Sequence, residues 1–159
     1  MGHEDHKGKA RGPAGVLVLT VSDTRTEETD ESGALIKALL AEAGHEVAGY
    51  EIMPDEPALV AKALASPPAG ASAAIVNGGT GISKRDSTFD AVRSALAKEL
   101  PGFGELFRSL SYEQIGAAAI MSRATAGITA SGLAVFSIPG SVNAVRLAME
   151  KIILPELSH

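Results

Sequence analysis

Ser72-Ala73-Ala74-Ile75-Val76 runs directly into Asn77-Gly78-Gly79-Thr80-Gly81-Ile82-Ser83-Lys84-Arg85-Asp86. The first part is a short apolar run that reads as a buried strand. The second is a glycine-rich turn followed by two cations and a carboxylate. Strands that lead through such loops into helices are the repeating unit of an α/β fold. Three glycines in four residues let the backbone turn tightly and come close to a ligand. Unshielded N–H groups in a turn of this kind suit an anion, most often phosphate. With Lys84, Arg85 and Asp86 in reach, the segment reads as a phosphate or nucleotide site with a metal ligand beside it. A glycine turn with solvated charges is the alternative.

The same alternation extends in both directions. Val16 to Val21 is a continuous, largely β-branched run suited to a central strand. A polar loop from Ser22 to Glu31 precedes a helix over Ser32 to Ala43, with Ser32 as cap and Gly44 as stop. Glu46 to Met53 reads as a second strand. A helix follows, starting at Asp55 or Glu56, with Pro57 in its first turn and its end near Ala65. Beyond the glycine loop, Ser87 or Thr88 caps a helix containing Val92, Leu96 and Leu100. Pro101-Gly102-Phe103-Gly104 breaks it, and Glu105 to Ile115 is helical again. Ala117 to Gly127 is rich in small residues and gives no clear element. Leu133 to Ile138 is the last strand, and Pro139-Gly140-Ser141 turns into a C-terminal helix capped by Ser141. The fold expected is three-layer α/β, with a mostly parallel central sheet and helices on both faces. Residues 15–159 form one domain after a flexible tail, 1–14.

Composition narrows the function. The chain has 159 residues, 45% hydrophobic and 21% charged, which is ordinary for a globular domain. Aromatics make up 4%, Trp is absent and the net charge is −5, so nucleic acid is not an expected partner. There is no cysteine, which removes disulfides, thiolate metal sites and cysteine nucleophiles. No apolar run has the length of a membrane span and the tail lacks a secretory pattern, so a cytoplasmic location is expected. His3 and His6 read as solvated, and His45, after Gly44, as exposed. No other His lies between the tail and His159, so a Ser-His-Asp triad has no support.

In a parallel sheet, Ser22-Asp23-Thr24-Arg25, Pro54-Asp55-Glu56, Asn77 to Asp86 and Pro139-Gly140-Ser141 all fall on the edge where open α/β folds bind ligands. The dinucleotide pattern GxGxxG and the P-loop GxxxxGK[ST] are both absent from the glycine loop. Asp55 and Asp86 either share a Mg²⁺ ion, which favours a few carboxylates plus phosphate oxygens, or cap helices. Ser22 and Asp23 either bind a ligand or close a turn. Spacing alone assigns nothing to Ser122 and Arg123, and Phe103 and Phe107 read as packing groups.

These segments resemble the molybdenum-cofactor biosynthesis family known as MoaB/MogA. The resemblance adds Asp30-Glu31-Ser32-Gly33, Pro101 to Arg108, Met121-Ser122-Arg123-Ala124-Thr125-Ala126-Gly127 and Asn143-Ala144-Val145 to the loops above. It covers Gly15 to the C-terminus and looks closer to the MoaB branch. It implies a molybdopterin-binding fold and an adenylyltransferase reaction with ATP and Mg²⁺, releasing pyrophosphate. On that resemblance Asp55 and Asp86 are catalytic and hold Mg²⁺. Ser22, Asp23, Gly78, Gly79, Thr80, Gly81, Gly140 and Ser141 bind nucleotide and phosphate. Ser122, Arg123 and Glu105 lie on the pterin side, and Lys84 and Arg85 neutralise phosphate unless Arg85 pairs with a local carboxylate.

The chain departs from the family pattern at Asn77, where threonine is common, at Ser87, where valine is common, and at Val142, where proline is frequent. A non-catalytic pterin-binding or handover protein of the same pathway is the second reading, and a nucleotide-pyrophosphate hydrolase the third. The resemblance also implies other cofactor-biosynthesis proteins as partners and a homotrimer or homohexamer, with Leu106, Phe107, Leu110 and Ile120 either at a subunit contact or in the core.

Overall fold

A computed structural model describes residues 12–159. The expected tail, with His3 and His6, lies largely outside the described residues. Ala14 lies within them and is buried, its N–H donating to His45 Nδ1 at 3.0 Å. His45 is therefore half-buried and engaged, where the sequence suggested exposure.

The elements follow in order: β1 (Gly15–Val21), α1 (Glu31–Glu42), β2 (Glu46–Met53), α2 (Pro57–Ala65), β3 (Ala73–Asn77), α3 (Thr88–Ala95), β4 (Leu96–Glu99) and α4 (Pro101–Ile115). A 3₁₀ segment (Gly116–Met121) leads to β5 (Thr125–Thr129), β6 (Ala134–Ile138) and α5 (Val142–Ala148). That helix widens into a π segment (Met149–Ile153) and ends as α6 (Leu154–Glu156). The six strands form one sheet in the order β2-β1-β3-β6-β5-β4. β2, β1, β3 and β6 are mutually parallel, whereas β5 runs antiparallel to both β6 and β4.

Period-two alternation along β1 explains the layers. Val16 and Val18 join a core with Ile36, Leu40, Phe107 and Ile153 on one face. Leu17, Leu19 and Val21 join Met53, Val60, Leu64 and Val92 on the other. Helices α1, α4 and α5 cover the first face, and α2 and α3 the second. A strand buried on both faces needs a continuous apolar run, which is what Val16 to Val21 supplies apart from Thr20.

Four expectations change. Asp30, not Ser32, caps α1, because its Oδ1 accepts from the Gly33 N–H at 3.0 Å. The helix expected to reach Leu100 stops at Ala95, and Leu96–Glu99 pairs as the edge strand β4. Pro101 does not break a helix but opens α4, at the position where its missing N–H costs nothing. The stretch that gave no clear element holds the 3₁₀ segment and most of β5.

At the end of the sheet where β1 begins, a largely apolar cavity of about 570 Å³ is lined by Gly12, Pro13, Phe103, Leu106, Phe136 and His159, among others. Among the described residues no helix is long and apolar enough to cross a membrane.

Candidate functional site

Because β1, β2, β3 and β6 are parallel, their C-terminal loops meet on one edge, as the sequence predicts. Main-chain bonds lock the loops together: Ser22 N–H donates to Met53 O and Gly78 N–H to Ile138 O, each at 2.9 Å. The glycine loop is packed closely enough that side chains do not fit. A Cβ on Gly78 would lie 2.2 Å from Val21 O, and its φ is +108°. A Cβ on Gly79, at φ +65°, would lie 2.0 Å from Thr88 Oγ1 and 2.6 Å from Asp55 Oδ2. Among the described residues, the N–H groups of Gly79, Thr80 and Gly81 have no protein acceptor. Such a run of free donors is what an anion uses.

Asp55 is buried, and its Oδ1 accepts from Ser87 N–H (3.2 Å), Ser87 Oγ (2.7 Å) and Thr88 Oγ1 (3.4 Å). Its Oδ2 carries no hydrogen bond and abuts Gly79. Asp86 accepts from Ser83 N–H on Oδ2 at 3.0 Å, leaving Oδ1 without a hydrogen bond. A Cβ on Gly81 would lie 2.7 Å from Asp86 Oδ2. The two carboxylates thus press against loop positions two residues apart, each with one uncommitted oxygen. No group of three or more His, Cys, Asp or Glu suited to a metal occurs among the described residues. The donor set fits a hard cation held by two carboxylates and completed by water and phosphate, the habit of Mg²⁺.

Ser22 and Asp23 both make contacts within the loops. Ser22 Oγ accepts from the N–H groups of Thr24 (3.2 Å) and Arg25 (3.1 Å), closing a turn. Asp23 receives Arg85 through two bonds, at 2.7 and 3.1 Å, and the Asp55 N–H at 3.2 Å. Those bonds, Arg85 first, hold the Asp23 carboxyl below its ordinary pKa, and Asp23 in turn raises that of Arg85. Arg85 therefore pairs with a local carboxylate. Lys84 is exposed.

Gly140 and Ser141 sit beside the glycine loop, a Cβ on Gly140 falling 3.2 Å from Gly78 Cα. Ser141 caps α5 by accepting from Ala144 N–H.

The three residues expected on the pterin side line one cavity of about 370 Å³, together with Phe89, Arg93 and Arg108. Ser122 Oγ is buried without a hydrogen-bond partner among the described residues. An unpaired buried hydroxyl is costly, and Asn77 Oδ1 and Ser137 Oγ share that state among the described residues. Glu105 is exposed at the rim. Arg123 also reaches the loop: its main-chain N–H donates to Thr80 O (3.0 Å), Nε to Gly81 O (3.0 Å) and Nη2 to Asp86 O (2.6 Å). Its guanidinium lies 4.9 Å from the centre of the Phe89 ring.

Sequence reading assigned no role to Phe89, Arg93 and Arg108, and no spacing marks them. It also missed a buried network around Asp30, whose Oδ2 accepts from Thr20 Oγ1 (2.6 Å) and Tyr50 Oη (2.5 Å). Burial alone would raise the Asp30 pKa, but these hydroxyls, the Gly33 N–H and the Arg25 charge outweigh it and hold the pKa below the ordinary 3.8. Burial and then Asp30 push the Tyr50 hydroxyl upward. The aspartate three residues before Gly33, at the head of an apolar-periodic run, was the available signal.

Residues 17–159 match the family described as "Probable molybdopterin binding domain". The Bacillus subtilis protein named molybdenum cofactor biosynthesis protein B is 54% identical, over 100% of this chain and 95% of its own length. A crystal structure of a molybdenum cofactor biosynthesis protein B superposes with a TM-score of 0.90 at 50% identity, covering 95% of each chain. The tungsten cofactor synthesizing protein MoaB of Pyrococcus furiosus gives 0.82 at 41% identity, covering 91% of this chain and 92% of its own. The chain belongs to this molybdopterin-binding family and is similar to its MoaB members.

Proposed function

We propose that this member of the family binds molybdopterin and adenylylates it with Mg-ATP. An oxygen of the pterin's terminal phosphate attacks the α-phosphorus of ATP. The new P–O bond forms as the bond from that phosphorus to the bridging α–β oxygen breaks, and pyrophosphate leaves with the electron pair. No covalent enzyme intermediate is needed, so the protein contributes positioning and charge neutralisation.

The observation that carries this reading is the meeting of two half-free carboxylates with a run of free loop N–H groups. Asp55 and Asp86 would hold Mg²⁺, which supplies charge neutralisation between the reacting phosphates. Gly79, Thr80 and Gly81 donate N–H groups to phosphate oxygens. Gly140 and Ser141 border the nucleotide, while Ser122 and Glu105 meet the pterin. Ser22 and Asp23 border the nucleotide as well, with Arg85 paired to Asp23 and still exposed.

We extend the reading to a cytoplasmic homotrimer or homohexamer working with other proteins of the pathway. Leu106 and Ile120 are exposed at 48% and 76% and suit a subunit contact, whereas Phe107 is buried in the core.

Single-turnover formation of adenylyl-molybdopterin from molybdopterin and Mg-ATP tests the proposal. Product from wild type supports it. Tight pterin binding without product establishes the carrier reading instead, and pyrophosphate cleavage from a nucleotide without pterin establishes the hydrolase.

A further inference from the structure

No residue of the segment Arg25 to Ser32 is assigned to a ligand, yet two of its side chains converge on one main-chain atom of the nucleotide edge. Arg25 Nη2 donates to Gly140 O at 2.9 Å, and Ser32 Oγ donates to the same oxygen at 2.6 Å. Arg25 is itself anchored, its Nη1 lying 3.6 Å from Oδ1 of the buried Asp30. The Asp30 carboxylate is in turn held by Thr20, Tyr50 and the Gly33 N–H.

A carbonyl fixed by two donors fixes its whole peptide plane. The peptide is planar and trans, so the N–H of Ser141 must point to the side opposite Arg25 and Ser32. That N–H has no acceptor among the described residues, and Ser141 is exposed. A Cβ on Gly140 would meet Gly78 Cα tightly, at 3.2 Å, and Arg25 Nη1 at an ordinary contact distance of 3.5 Å. Rotating the plane would break both hydrogen bonds to the Gly140 carbonyl.

We propose that Arg25 and Ser32 are positioning residues for the nucleotide: by clamping the Gly140 carbonyl they aim the Ser141 N–H as a fixed donor to an ATP phosphate. The inference rests on the assignment of Gly140 and Ser141 to the nucleotide side. It gives Asp30 a reason to stay charged in a buried place, since a neutral group would hold Arg25 less firmly.

The test is calorimetric binding of Mg-ATP and, separately, of molybdopterin to wild type, Arg25→Ala, Arg25→Lys and Ser32→Ala. Loss of a charge-assisted hydrogen bond that orients a donor should weaken Mg-ATP roughly tenfold or more in Arg25→Ala. Ser32→Ala should fall in the same direction by less, and Arg25→Lys should recover part of the affinity. Molybdopterin affinity should stay within about twofold of wild type, because Ser122 and its cavity lie apart from the clamp. In spectra of the labelled protein, the Ser141 amide resonance should move on adding Mg-ATP to wild type and stay still in Arg25→Ala.

Unchanged Mg-ATP affinity in Arg25→Ala would overturn the proposal, as would equal weakening of both ligands, which signals general damage. Wild type that binds molybdopterin but no Mg-ATP would overturn the adenylylation reading together with this one. Wild type that binds both, with a silent Arg25→Ala, would sink only the clamp.

Discussion

Arg123 holds Asp86 by its main chain: the guanidinium Nη2 donates to the Asp86 carbonyl at 2.6 Å, while Nε of the same group holds Gly81 O at 3.0 Å. The side chain nearest in sequence to the orphaned Ser122 hydroxyl thus spans both ends of the loop that carries Asp86. The wall of one cavity and the backbone of the glycine loop are a single hydrogen-bonded unit.

Removing that brace should loosen the loop without unfolding the domain. Arg123→Ala deletes the guanidinium bonds to two carbonyls and is expected to lower stability by about 1–3 kcal/mol, measured by urea unfolding. Its turnover should fall further than that of Arg123→Lys, which keeps the charge and an ammonium donor but not the planar fork. Equal turnover in both variants would show that the span has no part in activity.

Asp86→Asn should fold with wild-type stability, because Oδ2 can still be presented to the Ser83 N–H as an amide oxygen. If the proposed reaction holds, adenylyl transfer should fall by about a hundredfold or more, a loss of roughly 3 kcal/mol of charge stabilisation at the reacting phosphates. Urea unfolding checks the first expectation and single-turnover kinetics the second.

Gly79→Ala combines a strained φ of +65° with a Cβ placed 2.0 Å from Thr88 Oγ1. It should destabilise by about 2 kcal/mol or more, through left-handed backbone cost and overpacking together. A thermal melt indistinguishable from wild type would show that the loop simply moves aside.

Asp30 gives a pH signature with a definite sign. Its folded pKa lies below the ordinary 3.8, so it contributes stability that is fully present above that value. The contribution is lost as pH falls through 3.8 toward the folded pKa. Asp30→Asn should therefore be less stable at neutral pH and show a flatter decline in that acid window. Urea midpoints at about pH 7 and about pH 3 measure the difference between the two proteins.

The parallel half of the sheet was legible because its strands are unmistakable apolar runs, and the site loops because glycine and proline punctuate them. Glu46–Met53 was read to the residue. The antiparallel half was not. Val92, Leu96 and Leu100 keep helical spacing across a point where the backbone becomes extended at Leu96. Only pairing with Thr125–Thr129 makes Leu96–Glu99 a strand, and that contact lies outside any local window. β5 itself contains Ala126 and Gly127, weak strand formers that a neighbour on each side holds in place. At the site, Asp55 and Asp86 could be named because carboxylates after strands are conspicuous. The Arg25–Gly140 contact could not, since 115 residues separate a side chain from a carbonyl that carries no sequence signal.

Gly12 and His159 line the same cavity, at the end of the sheet where β1 starts. All four site loops leave the opposite ends of their strands. A tether, dye or affinity handle joined at His159 would therefore stand a full strand length from the glycine-loop edge. Protein immobilised that way on a sensor surface would present its glycine-loop edge to the flowing solution.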